Sequence, residues 1–255
     1  MARIKFMNTE IDNLTMDETL QTIEYLIKEN RGAYVVTPNV DHIVQLETND
    51  ELKIAYKNAS LILTDGKPLI WISKWYRTPI KEKISGADLF PRLCRMSAEK
   101  GYRMFFLGAA EGVAAKAAQN LAREYKGLQV VGTYSPPYGF ENDLLELGKI
   151  KRMIQGANPH ILIVGLGCPK QEKFMYAHCN ELGVPISFGL GASFDFEAGN
   201  IRRCPKWISD IGFEWAYRIT QDPKRLAKRY FVDDRKILIL AFKYRKNNRT
   251  GNVRQ

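Results

Sequence analysis

Residues 161–172, ILIVGLGCPKQE, give the clearest indication of the fold in this sequence. The first four residues of this stretch are apolar and mostly β-branched, as in a strand that is buried on both faces of a sheet. Glycines and a proline follow the strand, and the polar residues after them are typical of a helix start. This order of strand, glycine-rich loop and helix predicts one unit of an α/β fold with a parallel sheet.

Similar apolar runs recur on both sides of this unit, with helical sequences between them. The predicted strands are residues 34–37, 61–64, 104–107, 129–131, 161–164 and 185–188. A capping-box spacing from Thr15 to Glu18 and the alanine-rich segment 111–125 indicate two of the helices. We therefore predict a Rossmann-like, mostly parallel sheet flanked by helices. Ligands of such sheets bind outside the carboxyl ends of the strands, so we expect the site residues to lie there.

The charge of the chain is concentrated at its end. The composition of the 255 residues, 45% hydrophobic and 26% charged, is that of a globular protein and excludes a disordered chain. Residues 1–201 hold 23 basic and 23 acidic side chains, whereas residues 202–255 hold 15 basic and 5 acidic ones, which gives the whole net charge of +10. We predict a Rossmann-like catalytic body over residues 1–200 and a basic, aromatic-rich helical appendage over 201–255, with helices at 213–220 and 223–244.

Cysteine usage and hydropathy bear on the compartment. The four cysteines are far apart and form no CxxC pair, which predicts neither a disulfide framework nor a zinc cluster and fits a reducing cytosol. The first 13 residues lack the pattern of a secretory signal, and no apolar run approaches the roughly 20 residues that span a bilayer. We expect a cytoplasmic protein without a spanning helix.

Several familiar motifs are excluded. Neither 165–170 nor 189–194 has the third glycine of G-x-G-x-x-G, which disfavours a nicotinamide enzyme, and the chain has no Walker A sequence. His42, His160 and His178 are not at metal-ligand spacing. We therefore predict that the protein holds no metal.

Polar residues follow the first two predicted strands. Thr37 and Asn39 come at a helix start whose free N–H groups favour anions, although a simple capped helix would have the same sequence. Asp65 comes directly after the next strand and beside Gly66, where either a ligand carboxylate or an Asp-Gly turn fits the pattern.

Later strand ends supply further candidates. Gly167, Lys170 and Gln171 combine backbone access, a cation and an amide donor at one helix start, which suits a diphosphate. Gly108 ends the central predicted strand at 104–107. Asp195 follows a glycine-rich strand end, where it could accept hydrogen bonds from a base or ribose or could belong to a simple turn.

The appendage has three open interpretations. Its cations Arg218, Arg225, Lys228 and Arg229 alternate with aromatic residues and precede the apolar run 237–242. Such a segment suits an anionic membrane surface. It could equally contact nucleic-acid phosphates, or be a solvated charged face whose apolar side packs on the body.

Taken together, these stretches resemble the TagA/WecG/CpsF family of bacterial glycosyltransferases, glycosyltransferase family 26. The resemblance rests on the ordered set of motifs at 37–39, 65–68, 86–89, 105–108, 165–172, 189–199, 213–218 and 222–230. It covers most of the chain and is closest to the TagA-type N-acetylmannosaminyltransferases.

The resemblance implies a reaction at the inner face of the cell membrane. Such an enzyme transfers N-acetylmannosamine from its UDP donor to undecaprenyl-diphosphate-linked N-acetylglucosamine, with inversion, and so begins the linkage unit of wall teichoic acid. Another UDP-sugar in capsule or exopolysaccharide synthesis is the alternative within the family. A basic nucleic-acid-binding module is the distant alternative; we expect no nucleic-acid partner. Self-association is left open.

The resemblance also assigns residues. It makes Asp65 the catalytic base and Thr37 a second catalytic residue. Thr37, Asn39 and Gln171 match positions around the donor sugar and diphosphate. Arg218, Arg225 and Lys228 or Arg229 match cations that meet the lipid diphosphate, and Lys83 stands where the family usually has an arginine. No Asp-x-Asp pair occurs in the sequence, so we expect a metal-independent enzyme without a cofactor.

Overall fold

A computed structural model describes residues 3–191, 193–210, 212–221, 223, 226, 230 and 234–251. Within them the chain forms an α/β fold around a sheet of six parallel strands, as predicted. The strands are β1 Arg3–Phe6, β2 Thr9–Asp12, β3 Ala33–Val36, β4 Leu61–Ile62, β5 Arg103–Gly108, β6 Gln129–Tyr134, β7 Ile161–Gly165 and β8 Ile186–Gly189. The order across the parallel sheet is β4-β3-β8-β7-β5-β6, and each of these six strands overlaps a predicted one.

Helices connect the strands and continue beyond the last of them. The helices are α1 Met16–Glu29, α2 Val40–Gln45, α3 Asp50–Lys57, α4 Lys67–Trp75, α5 Gly86–Lys100, α6 Val113–Glu124, α7 Leu144–Ala157, α8 Lys170–Leu182, α9 Ser193–Glu197, α10 Lys206–Asp210, α11 Glu214–Gln221 and α12 Lys236–Gly251. A short 3-10 helix, Phe140–Asn142, precedes α7. The predicted capping box at the start of α1 is present, because Thr15 and Glu18 exchange hydrogen bonds.

The central strands bury both of their faces. In β7, Leu162 and Val164 pack in one apolar core, while Ile161 and Ile163 pack in the other. Side chains alternate across a strand, so an uninterrupted apolar run fills both layers at once. This explains why the runs, which do not alternate with polar residues, predict the sheet correctly.

An antiparallel hairpin of β1 and β2 was not predicted from the sequence. It is fixed to the sheet by Asp12, whose carboxylate pairs with Arg3 at 3.0 Å and accepts a hydrogen bond from the Ile62 backbone N–H at 2.9 Å. Four-residue strands with mixed polarity have a weak local signal, and this hairpin depends on contacts with residues far along the chain.

The end of the described chain packs on the sheet layers. Ile237 and Ala241 of α12 are buried in the first core, and the Tyr76 hydroxyl donates to the Ala241 carbonyl at 2.7 Å. The predicted helix over 223–244 is wrong as one continuous element, because Asp234 and Arg235 form a turn and the helix begins after it. Aspartate favours such starts because it competes with helical backbone bonds. The domain boundary at residue 200 stays a prediction.

Candidate functional site

A polar cleft of about 350 Å³ lies at the carboxyl ends of β3, β4, β7 and β8. The residues that line this polar cleft are Thr37, Asn39, Asp41, His42, Asp65, Ser85, Gly86, Ala87, Ala109, Gly165, Gly167, Cys168, Gln171, Gly189, Leu190, Gly191, Ser193, Asp195, Phe196, Ile201, Glu214, Arg218, Gln221 and Leu226. Seven predicted site residues therefore meet in one place. They are Thr37, Asn39, Asp65, Gly167, Gln171, Asp195 and Arg218. The crossovers of a parallel sheet bring these strand ends to the same edge.

A second, more apolar cavity of about 390 Å³ adjoins the cleft. Its lining is Asn39, Val40, Asp65, Gly66, Lys67, Pro68, Lys83, Ser209, Gly212, Glu214, Trp215, Arg218, Tyr230, Asp234, Arg235, Ile237 and Leu238. Both cavities are lined by Asn39, Asp65, Glu214 and Arg218. These four side chains therefore stand where a ligand in one cavity would meet a ligand in the other.

The backbone around Asp65 is held by the neighbouring strand end. The Asp65 N–H donates to the Pro38 carbonyl at 2.9 Å, which joins the loops after β3 and β4. Next to Pro38, the Asn39 side chain accepts from the His42 N–H at 3.3 Å and caps α2. The capped-helix interpretation of Asn39 is thus confirmed, and the same residue also faces both cavities.

The carboxylate of Asp65 has the electrostatics of a base. Burial, reinforced by the negative charge of Glu214, raises the pKa of Asp65 to about 6, while the cations Lys83 and Arg218 oppose the rise. A carboxylate with a pKa near 6 is ionised at neutral pH and takes up a proton more readily than an exposed aspartate. Asp65 can therefore act as a general base at the junction of the two cavities.

Lys83 belongs to a charged network beside the apolar cavity. Its Nζ lies 3.0 Å from Asp88 Oδ2 and 3.9 Å from Glu214 Oε2. Asp88 also accepts from the Ser85 hydroxyl at 2.6 Å and from Arg203 at 2.8 Å. This network joins the residues after β8 to the loop before α5 and holds a positive charge near Asp65.

The loop between β7 and α8 supplies an amide to the polar cleft. Gln171 is buried, its Nε2 donates to Glu172 Oε1 at 2.8 Å, and its Oε1 has no hydrogen-bond partner among the described residues. A Cβ on Gly191 would come within 2.9 Å of that Oε1, so the amide of Gln171 lies close against the Gly191 backbone. A buried acceptor of this kind is costly unless a ligand donor satisfies it.

Asp195 and Arg218 approach the cleft from the elements after β8. Asp195 Oδ1 accepts from Asn200 Nδ2 at 3.3 Å, and the Arg218 guanidinium lies 5.3 Å from the centre of the Phe196 ring. The other predicted tail cations, Arg225, Lys228 and Arg229, lie outside the residues that the structure describes.

Three predicted residues are placed elsewhere. Lys170 forms an ion pair with Glu141 and lies 4.6 Å from the centre of the Tyr138 ring, so it is not part of the cleft lining. Gly108 is packed against Gly165 of the adjacent strand, where a Cβ would come within 2.4 Å of the Gly165 carbonyl oxygen. Lys83 lines only the apolar cavity.

Two features of the site were not predicted from the sequence. Glu214 faces both cavities. In the sequence it is an acidic residue inside the 213–218 motif of the basic tail. The second feature is a set of metal-ligand types, since donor atoms of Asp41, His42 and Cys168 lie within 4.8 Å of one another. Spacing along the sequence does not reveal these three residues as a set, because Cys168 lies in a loop far along the chain from Asp41 and His42.

Comparison with known proteins shows the family of this chain. The sequence model of the Glycosyl transferase WecG/TagA/CpsF family matches residues 4–251. The chain belongs to this family of glycosyltransferases. The resemblance seen in the sequence motifs is thereby confirmed, and the polar cleft and apolar cavity are features of a glycosyltransferase.

Relatives in the WecG/TagA/CpsF family have names that state an activity. A Bacillus spizizenii protein is 32% identical over 199 residues, which is 78% of this chain and 75% of its own. A Bacillus subtilis protein is 28% identical over 232 residues, 89% of this chain and 88% of its own, and one from Staphylococcus aureus strain MW2 is 24% identical over 229 residues, again 89% and 88%. Each is named N-acetylglucosaminyldiphosphoundecaprenol N-acetyl-beta-D-mannosaminyltransferase.

Within the described parts of the chain, no helix is both long enough and apolar enough to cross a bilayer.

Proposed function

We propose that this glycosyltransferase transfers N-acetylmannosamine from UDP-N-acetylmannosamine to undecaprenyl-diphosphate-linked N-acetylglucosamine. The names of the relatives support the donor sugar and the acceptor. The proposal depends chiefly on the position of Asp65. Its carboxylate has a raised pKa and lies between the polar cleft and the apolar cavity. A hydrophilic sugar nucleotide and a lipid-linked sugar need two such neighbouring compartments.

The polar cleft suits the UDP-sugar donor. Its strand ends expose backbone groups at Gly167 and Gly191, which let a diphosphate approach closely. Thr37 and Gln171 supply a hydroxyl and an amide, and Asp195 supplies an acceptor for ribose or base N–H and O–H groups. Donor binding would satisfy the buried Oε1 of Gln171.

The apolar cavity suits the lipid-linked acceptor. Trp215, Tyr230 and Leu238 form an aromatic and aliphatic wall, the kind of surface that packs on a prenyl chain. Lys83 and Arg218 add positive charge at the end near Asp65, where the acceptor diphosphate would lie. In this arrangement the acceptor hydroxyl faces both the base and the donor.

The reaction is a single displacement with inversion. Asp65 takes the proton from the acceptor hydroxyl as its oxygen forms a bond to the anomeric carbon of the donor sugar. The bond from that carbon to the diphosphate oxygen breaks, and UDP leaves with the bonding electrons. Arg218 and the donors around the polar cleft offset the charge on UDP. We propose that these groups make the enzyme independent of a metal.

We further propose that the enzyme acts as a peripheral protein at the inner face of the cell membrane. Leu238, Ile239 and Phe242 of α12 are 65%, 71% and 68% exposed, and the same helix region carries Lys236 and Lys243. Exposed apolar side chains beside cations fit an anionic lipid surface. This surface is next to the apolar cavity, since Leu238 belongs to both.

The test of the proposal is UDP release with a short-chain lipid-diphosphate N-acetylglucosamine acceptor. UDP-N-acetylmannosamine, UDP-N-acetylglucosamine and UDP-glucose are supplied in separate reactions, each with excess EDTA, and Asp65→Asn is the inactive control. Turnover with the mannosamine donor alone is the expected result. Turnover only with another donor would replace the proposed sugar, and activity that requires Mg²⁺ or Mn²⁺ would overturn metal independence.

A further inference from the structure

We propose that Asp41, His42 and Cys168 form a binding site for Zn²⁺ in the wall of the polar cleft, and that zinc bound there inhibits the enzyme. The three residues come from two separate parts of the chain. Asp41 and His42 lie in α2, which follows β3, and Cys168 lies in the loop between β7 and α8. The sheet brings these two strand ends together, so that one donor atom of each residue lies within 4.8 Å of the others.

The spacing is close to that of a zinc site. Zinc binds nitrogen and oxygen at about 2.0–2.2 Å and sulfur at about 2.3 Å in tetrahedral geometry, which puts neighbouring ligand atoms about 3.5 Å apart. Asp41 and Cys168 are half-buried and line the cleft, and rotation of their short side chains can bring their donor atoms closer. His42 is buried, so its ring position is fixed by packing.

A second layer of hydrogen bonds orients two of the three ligands. Nδ1 of His42 lies 2.7 Å from the buried hydroxyl of Tyr56, and Asp41 Oδ1 accepts from Gln45 Nε2 at 3.0 Å. A metal-ligating histidine usually donates from its other ring nitrogen to an oxygen, which selects the tautomer that presents its remaining nitrogen to the metal. If Tyr56 accepts that bond from Nδ1, Nε2 of His42 is left to bind the metal.

The types of donor select the metal. A thiolate and an imidazole favour zinc over magnesium or calcium, which prefer oxygen ligands only. Binding would displace the thiol proton of Cys168 to water, so that a thiolate binds the metal. Three protein ligands leave a fourth tetrahedral position, which a water molecule or a phosphate oxygen can occupy.

Zinc at this position would occupy space in the polar cleft beside Thr37, Asn39 and Gln171. The inhibitory half of the inference rests on the proposed function, since it assumes that the UDP-sugar donor uses this cleft. It is compatible with metal-independent catalysis, because here the metal obstructs the reaction and takes no part in it.

The binding half is tested without any substrate, by titrating the full-length protein with Co²⁺ and recording its absorption spectrum. We expect one Co²⁺ per chain, a near-ultraviolet thiolate-to-cobalt charge-transfer band, and loss of the band on addition of Zn²⁺. Cys168→Ser removes the band, whereas Cys179→Ser, which alters another half-buried cysteine, keeps it. Asp41→Asn keeps the band with affinity weakened about tenfold or more. A missing band, or an equal band in Cys168→Ser, would overturn the site.

The inhibitory half is tested by UDP release in a Zn²⁺ series. We expect Zn²⁺ to inhibit the wild type and EDTA to reverse the inhibition. We expect the rate of Cys168→Ser, compared with its own rate without zinc, to be insensitive to Zn²⁺. Cobalt binding without inhibition would refute the inhibitory role alone. A protein that binds cobalt but shows no transferase activity in EDTA or with added Mg²⁺ or Mn²⁺ would refute the proposed function and leave the metal site standing.

Discussion

Lys83 Nζ lies 3.0 Å from Asp88 Oδ2, and Arg203 holds the other carboxylate oxygen of Asp88 at 2.8 Å. Burial lowers the pKa of Lys83, but the carboxylates of Asp88, Asp65 and Glu214 outweigh burial and raise it above its usual value. Lys83 is therefore a fixed positive charge. Lys83 lowers the pKa of Asp65, whereas burial and the charge of Glu214 raise it. The pKa of the base therefore depends on the balance among these effects.

Replacing Asp65 tests the catalytic base. We expect Asp65→Asn to bind UDP as the wild type does and to lose turnover by about 10²-fold or more, because asparagine cannot accept the acceptor proton. UDP calorimetry and UDP release measure the two properties separately. Turnover at the wild-type rate would assign the base to another residue.

The same variant should gain thermal stability at pH 8. The folded-state pKa of Asp65 is about 6 against an ordinary value of 3.8, so the ionised carboxylate destabilises the folded state at pH values above both. Asparagine removes that cost, and Tm at pH 8 should rise, with a smaller gain near pH 4. A fall in Tm at pH 8 would indicate that the carboxylate stabilises the fold.

The loss of activity in acid should follow the pKa of Asp65. Because the base acts when deprotonated, kcat/KM should fall as the pH drops through about 6. Lys83→Gln removes a nearby positive charge and should move this limb of the profile to higher pH. A pH–rate profile of kcat/KM for wild type and variant checks the direction, and a shift to lower pH would contradict the proposed balance.

Glu214→Gln should move the same limb in the opposite direction. Glu214 raises the pKa of Asp65 by charge repulsion, so its neutral isostere should lower the pH at which half of the activity is lost. Glu51→Gln, a change on α3 outside the two cavity linings, is the control and should leave the limb in place. Equal pH profiles for the wild type, Glu214→Gln and Glu51→Gln would show that Glu214 does not affect the pKa of Asp65.

Gly165 is required by packing. A Cβ at this position would come within 2.5 Å of the Phe194 ring, which is itself enclosed by Phe90 and Phe106 at centroid distances of 5.8 and 5.3 Å. We expect Gly165→Ala to lose about 1–3 kcal/mol of unfolding free energy, measured by urea denaturation. Gly156→Ala is the control, since a Cβ there meets no atom within 4 Å, and it should be neutral or slightly stabilising.

The exposed apolar face of α12 should mediate membrane binding. We expect a change to Ser at Leu238, Ile239 or Phe242 to reduce sedimentation of the protein with anionic vesicles severalfold. Added salt should weaken vesicle binding of the wild type. Leu144 and Leu145 are 85% exposed on α7, and their change to Ser is the matched control. Unchanged sedimentation with a loss of self-association would assign the face to a second copy of the chain.

Truncation is a poor test of the same surface. Ile237 and Ala241 are part of the apolar core, and Ala241 accepts the hydrogen bond of Tyr76. Removing α12 would therefore expose core residues as well as the membrane-facing ones. The point variants change only side chains that are already exposed.

The order of residues along the chain is enough to predict the parallel sheet and the edge of the sheet at which the site lies. Continuous apolar runs fill both layers around a parallel strand, and glycine, proline and polar residues end each run where ligands of such sheets bind. Local spacing was sufficient for these features because each depends on residues that are adjacent in the chain. The sequence therefore predicts Thr37, Asn39, Asp65 and Gln171 at one edge of the sheet, and all four line the polar cleft.

Only the folded structure shows which partners these residues have. It pairs Lys170 with Glu141 away from the cleft, places the negative charge of Glu214 where it raises the pKa of Asp65, and brings Cys168 close to Asp41 and His42. Each of these relationships joins distant parts of the chain. Burial and charge also act through space, so the raised pKa of Asp65 is a property of the folded neighbourhood and has no counterpart in the local sequence.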